Sequence, residues 1–163
     1  MRITKIQTIS FIATLVGWFR VRGPRSNEAF TFTLVNVHTD PDVVGDEVAA
    51  LAEAYRVVRR AGGNEDDVIM LGDFNADEAN PAFVRLVSSK RHGLTDTFRR
   101  IHPDEAAVLT FHNFQGGRDG KKIDAILVSP EWQVKDAGIV HKQRGDVYPS
   151  DHYPVTAIVE LAE

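Results

Sequence analysis

The spacing of apolar residues changes several times along the chain, and each change marks an element. Phe30, Phe32, Leu34, Asn36 and His38 alternate with Thr31, Thr33, Val35 and Val37, the two-residue period of a strand. Val16 to Arg22 is similarly rich in β-formers, and the intervening Gly23-Pro24-Arg25-Ser26-Asn27-Glu28 is turn chemistry, so the two segments predict a hairpin. From Asp42 the period becomes helical: Val44, Val48, Leu51, Tyr55 and Val58 form one stripe, stopped by Gly62-Gly63. Val68 to Leu71 is a short all-apolar run, as in a buried central strand, and ends in Gly72-Asp73. Asn80-Pro81 reads as an N-cap with proline at the first helical position, opening a short helix through Val87. Leu109 to His112 and Ile123 to Ser129 read as strands around the flexible stretch Gln115 to Gly120, and Trp132 to Val140 and Val155 to Leu161 follow as two more. The order β-β-α-β-α-β-β-β-β predicts an α+β fold: a mixed, mostly antiparallel sheet with helices on one face.

With 163 residues, 43% of them hydrophobic, one domain spanning 1–163 is expected, Met1 to Leu15 serving as a leader strand or arm. Arg2 and Lys5 ahead of apolar residues raise the question of a secretory signal, but Gln7, Thr8, Ser10 and Thr14 interrupt the run, which reads as strand. The compartment stays open between cytoplasm and secretion. Without cysteine there is no disulfide framework and no thiolate ligand, so a metal here would take oxygen and imidazole donors, as Mg²⁺, Mn²⁺ or Ca²⁺ do. A net charge of −4 gives no general attraction for nucleic acid. Phosphate would have to be met through a cation and a local strip such as Arg20, Arg22 and Arg25, or Arg118, Lys121 and Lys122.

Candidate chemistry sits at strand ends. His38, the pair Asp73 and Asn75, Asp124, and the pair Asp151 and His152 place carboxylates, an amide and imidazoles where a metal-assisted attack on a phosphodiester needs them. Asp73 and Asn75 are two apart, so in extended geometry both leave one face while Phe74 points to the core. His152 reads as base or metal ligand, His38 as phosphate-facing or paired with a carboxylate, and Asp124 as the group that orients an imidazole. Plainer readings stand beside these. Asp73 and Asn75 could form an Asx-turn, His38 could be structural, and Asp151 could be a turn residue before Pro154. Arg56, Arg59 and Arg60 read as a solvated helix face, and His92, His102, His112 and His141 show no ligand-like spacing.

Taken together, Asn36-Val37-His38-Thr39, Gly72-Asp73-Phe74-Asn75, Ile123-Asp124 and Ser150-Asp151-His152-Tyr153-Pro154-Val155 resemble, in order, motifs of the metal-dependent endonuclease/exonuclease/phosphatase superfamily with the pancreatic-type deoxyribonuclease fold. The resemblance covers most of Val16 to Glu160 and implies the C-terminal half of a four-layer α/β-β/α sandwich. It implies a divalent-metal-dependent phosphodiester hydrolase, foremost a DNA endonuclease, using His38, Asp73, Asn75, Asp124, Asp151 and His152. The implied cofactor is Mg²⁺ or Mn²⁺, with Ca²⁺ a further candidate, held by Asp73, Asn75, Asp151 and His152. A phosphatase, a phospholipid phosphodiesterase and an inactive half-domain or scaffold are the alternatives. Two family features have no counterpart: Met1 to Leu15 contains no asparagine, and the first glutamate, Glu28, falls in the predicted hairpin turn. Half of the sandwich would leave an apolar sheet face bare, so a homodimer completing the layers is expected, with DNA or another phosphodiester as partner. No membrane partner is expected, because neither a membrane-inserting hairpin nor a basic amphipathic helix is evident.

Overall fold

The computed structural model describes residues 2–9, 13–25, 27–61, 66–88 and 93–162. The elements run β1 (Arg2–Ile9), β2 (Ala13–Arg20), β3 (Thr31–His38), α1 (Val44–Ala61), β4 (Val68–Asp73), α2 (Pro81–Ser88), β5 (Thr95–Asp96), α3 (Thr97–Ile101), β6 (Asp124–Val128), β7 (Trp132–Ile139) and β8 (Val155–Leu161). Six strands form one sheet in the order β1-β2-β3-β4-β6-β5, and β7 and β8 form a separate antiparallel pair. Within the six-stranded sheet only β3 and β4 are parallel, which matches the mixed, mostly antiparallel expectation. The leader segment is the edge strand β1, and Ala13 to Leu15 already belong to β2.

The strand period sorts each strand's residues to two faces. Val16, Val35, Val37, Val68, Met70, Ala125 and Leu127 are buried on one face, where they meet Val48, Leu51, Tyr55 and Val58 of α1 and Ala82, Phe83 and Leu86 of α2. Each fully buried side chain of this size contributes about 1.5–3 kcal/mol by leaving water, so this layer carries the fold. Helix α1 is charged to suit its dipole, with Asp46 and Glu47 in the first turn and Arg59 and Arg60 in the last. Its expected stop at Gly62-Gly63 lies outside the described residues. Helix α2 starts as its sequence predicts, the Ala82 N–H donating to Asn80 Oδ1 at 2.9 Å.

The opposite face is partly covered by the chain itself. Phe19, Phe32 and Phe30 stack in a row, and Trp132 of β7 meets Phe32 and Phe30 edge-on with centroids 6.2 and 5.7 Å apart. Leu34, Ile69, Leu71 and Ile126 stay half-buried there, and Leu15 is 45% exposed.

Several local expectations need correction. Leu109 to His112 is not a ladder strand, because its partners are loop residues; it makes only the single bridge Phe111↔His152, next to Ala107↔Gly120. The short β5 and α3 carry too few residues for a visible period, yet Asp96 caps α3 by accepting from the N–H groups of Phe98 and Arg99. Arg59 is no solvated residue: it donates to Glu131 and to the Tyr55 hydroxyl, tying α1 to the start of β7. Lys122 is buried against Asp96, so it cannot be part of a phosphate-facing strip.

Candidate active site

Ladder register builds the site. His38 is the last residue of β3, Asp73 the last of β4 and Asp124 the first of β6, and the pairings His38↔Asp73 and Asp73↔Asp124 set the three in one row across the sheet. Cross-strand neighbours share a face, so these side chains leave the same edge of the half-covered face.

Two backbone devices hold the row. Gly72 has φ 138°, and a Cβ there would lie 1.9 Å from the Val37 carbonyl oxygen, so only glycine lets β4 approach β3 this closely. Past Asp73 the chain turns rather than continuing extended. Phe74 is fully buried against Phe83, and Asn75 takes a left-handed φ of 47°. The Asn75 N–H donates to Asp73 Oδ1 at 2.8 Å, an Asx-type turn, and its Nδ2 donates to the Thr39 carbonyl at 2.6 Å. The Thr39 hydroxyl in turn donates to the Phe74 carbonyl. Asp73 and Asn75 therefore converge through a turn, not through strand alternation.

His152 arrives from the far end of the sequence. The bridge to Phe111 seats it, the Asp151 carbonyl accepts from the N–H groups of His112 and Asn113, and the Tyr153 N–H donates to the Thr110 carbonyl. The Thr110 hydroxyl oxygen, fully buried, accepts from the N–H groups of Ile123 and Asp124 at 2.9 and 3.1 Å. Thr110 thus joins the strand bearing Asp124 to the segment bearing His152. Sequence reasoning missed this role; a threonine in an apolar stretch is the only mark it leaves.

Asp124 holds an imidazole: its Oδ2 lies 2.8 Å from His152 Nδ1. With Nδ1–H donating to the carboxylate, Nε2 is left with its lone pair, 3.9 Å from Asp73 Oδ2. Ligand atoms of Asp73, Asp124 and His152 all fall within 4.8 Å of one another. His38 stands at the rim, 72% exposed, its Nε2 also 3.9 Å from Asp73 Oδ2. Asp151 is not in this group of ligand atoms; its Oδ1 accepts from the Ser150 hydroxyl at 3.3 Å.

The electrostatics follow. Burial raises the Asp73 carboxyl above its usual range, and the Asp124 charge adds to this against the lowering effects of the Asn75 N–H and the two imidazoles. Burial works to lower the His152 pKa, but the hydrogen bond to Asp124 and the charges of Asp124, Asp73 and Asp151 outweigh it and leave it raised. Two carboxylates facing one another with an imidazole beside them form an electron-rich oxygen and nitrogen set. That donor chemistry fits a hard divalent cation such as Mg²⁺ or Mn²⁺, whose charge would relieve the crowding.

The first expected cationic strip lies far from the site, and the second keeps only Arg118 both exposed and outside the ion pairs of the described residues. Arg20 pairs with Thr31 at the far end of the hairpin from His38, seven residues and about 23 Å away at strand rise. Lys121 is paired with Asp77 at 2.5 Å, and Lys122 with Asp96 at 2.7 Å.

Residues 2–152 match the sequence profile described as the endonuclease/exonuclease/phosphatase family. No curated protein sequence matches the chain. Among solved structures it is similar to the mannosyl-6-phosphatase of Bacteroides thetaiotaomicron VPI-5482, with TM-score 0.67 and 25% identity over 91% of this chain and 57% of that one. A 3′ phosphatase from Neisseria bound to a product DNA hairpin matches at TM-score 0.62 and 25% identity, over 90% and 64% of the two chains. The human Nocturnin catalytic domain shares the fold at TM-score 0.68 and 14% identity, over 99% and 60%. The chain thus spans little more than half the length of the first solved structures it matches, 56% and 57%.

Proposed function

The chain belongs to the endonuclease/exonuclease/phosphatase family, and from that premise we propose that it is a single-domain, divalent-metal-dependent phosphodiester hydrolase acting on DNA. The observation that carries the reading is the convergence of Asp73, Asp124 and His152 within 4.8 Å. Asp73, the amide oxygen of Asn75 and Asp124 would hold Mg²⁺ or Mn²⁺, with Asp151 adding negative charge beside His152. When bound, the cation polarises the phosphate and offsets the charge that grows on its oxygens. His152 is the general base: Asp124 fixes its tautomer, so Nε2 accepts the proton of the attacking water, and the same carboxylate stabilises the imidazolium formed. His38, at the rim, donates to a phosphoryl oxygen. Asn75 Nδ2 donates to the Thr39 carbonyl at 2.6 Å and to Asp73 Oδ2 at 3.3 Å, so its amide oxygen would reach a cation once the Asp73 contact is given up.

A phosphatase acting on a small phosphoester is the second reading, supported by the 25% identity to a mannosyl-6-phosphatase. A supercoiled-plasmid assay with Mg²⁺ or Mn²⁺ separates the readings. Nicking that needs the metal and disappears in both Asp73→Ala and His152→Ala is expected. Nicking that survives both substitutions overturns the site, and absence of nicking alongside metal-dependent release of phosphate from a sugar phosphate favours the second reading. Loss of both activities would leave an inactive half-domain.

We further propose that two copies pair through the uncovered sheet face around Leu15, Leu34, Ile69, Leu71 and Ile126. Sedimentation at micromolar concentration should give a dimer, and a folded monomer would refute this.

A further inference from the structure

The segment immediately before the Asp151-His152 pair is a small hairpin that the reaction itself does not use. Arg144 and Val147 exchange backbone hydrogen bonds at 3.0 and 3.2 Å around the two-residue turn Gly145-Asp146, with Gly145 at φ 60°. Glycine leading such a turn is the arrangement that keeps a hairpin tight. Its base is fixed: the Val140 N–H donates to the Pro154 carbonyl at 2.8 Å, and the Tyr148 ring packs on His112 with centroids 4.5 Å apart. Its tip is open. Lys142, Gln143 and Arg144 are exposed, Val147 is 67% exposed, and together with Pro149 they line an open cavity of about 640 Å³.

Charge sets this hairpin apart. Near the site Lys121 is paired with Asp77, Lys122 with Asp96 and Arg99 with Glu78, whereas Arg118, exposed and close enough to act on Tyr153 and His141, stands with the hairpin cations. Lys142 and Arg144, two residues apart and both exposed, have no ion-pair partner among the described residues. Asp146 at the turn is the one acidic group on the hairpin itself, with Asp151 following its base.

We propose that this hairpin is a phosphate-binding arm that grips a polynucleotide away from the bond being cut. The inference rests on the proposed function only for where the scissile phosphate lies. Arg144 is eight residues from His152, a chain path of at most about 26 Å, which a duplex covers in roughly eight base pairs. A nucleic acid several nucleotides long spans any separation up to that limit, so it can touch His152 and the arm together. The arm therefore favours polymeric substrates by adding cationic contacts beyond the scissile phosphate on a chain whose net charge is −4.

The test measures the anisotropy of a fluorescein-labelled 20-base-pair phosphorothioate duplex against the intact chain and Lys142→Ala/Arg144→Ala, from 50 to 200 mM NaCl. Hydrolysis of bis(p-nitrophenyl) phosphate is followed in parallel. Losing two phosphate contacts should flatten the slope of log Kd against log salt by about 1.8. Kd at 50 mM NaCl should rise about tenfold, with hydrolysis of the small diester unchanged. An unchanged slope, failure of the unsubstituted chain to bind duplex, binding to phosphatidylserine vesicles in place of duplex, or an equal fall in small-diester hydrolysis overturns the proposal. If the unsubstituted chain hydrolyses nothing but the slope flattens, the arm stands and the proposed activity falls.

Discussion

Lys122→Met tests how the site's supporting layer is held. The ammonium is 1% exposed, donates to Asp96 Oδ2 at 2.7 Å and lies 3.4 Å from Glu78. Glu78 keeps its paired hydrogen bonds to Arg99, at 2.7 and 2.6 Å, when the lysine goes. Asp96 does not have that recourse. Its Oδ1 caps α3, its side chain is 7% exposed, and without Lys122 its charge has no counterion in contact. Breaking a buried pair by removing one partner costs about 3–5 kcal/mol. Methionine keeps the stem's volume over the Phe83 ring, so little cavity term is added. The expected loss is about 3–4 kcal/mol, which for a domain of this size lowers Tm by about 10 °C. Urea unfolding followed through Trp18 and Trp132 measures it, and adding Asp96→Asn should return at least half of the loss, because the orphaned charge is then gone. A loss under about 1 kcal/mol, or a double variant weaker than the single by the full cost of Asp96→Asn, would show that the pair does not hold this layer.

Three further outcomes follow from the site. Gly72→Ala should cost more than about 3 kcal/mol, since its Cβ meets the Val37 carbonyl oxygen at 1.9 Å; a soluble variant with unchanged Tm refutes the close approach. Thr110→Val should cost about 1–3 kcal/mol by orphaning the part-buried N–H groups of Ile123 and Asp124, with Thr110→Ser restoring it in chemical denaturation. Asp124→Asn should move the His152 titration to lower pH in metal-free NMR. Because the folded pKa of His152 is raised, its stabilisation is present below its ordinary value near 6.5 and is lost as pH rises through the folded value. The stability penalty of Asp124→Asn should therefore be larger at pH 5.5 than at pH 9, and a pH-independent penalty refutes the linkage.

Long periodic segments were legible in the sequence because burial dictates their pattern. The stripe of α1 and the alternation of β3 answer directly to the one face each buries. What escaped depended on partners far away in the chain. Lys122 and Arg59 look like ordinary surface cations until Asp96 and Glu131 are placed beside them, and no local pattern encodes that. Thr110 is recognisable only once two strands are known to flank its hydroxyl. The turn at Asn75 was foreseen as an alternative, but the strand period pointed to an extended continuation, because periodicity does not say where a strand ends. The residues of the site could be named for their chemistry, while their division into a Asp73-Asn75 turn, an Asp124-His152 dyad and a rim at His38 required the register.

That register explains how a part-buried constellation at a sheet edge is positioned. Neighbouring strands lie about 4.8 Å apart, so a row of side chains across β3, β4 and β6 arrives with donor spacings that a cation or phosphate can bridge. Asp73 occupies the middle strand, and its Oδ2 faces an imidazole on either side at 3.9 Å. A slip of β6 by one residue would set Ala125 opposite Asp73 and send the Asp124 carboxylate to the other face. His152 would then lose the acceptor that fixes its tautomer. Changes that weaken the register of β6, such as those at Thr110 and Lys122, should accordingly reach the chemistry through position alone, although neither side chain touches the reacting atoms. Geometry set by a ladder is shared by every residue in it, which is why a site with few buried contacts of its own can be held as firmly as the sheet.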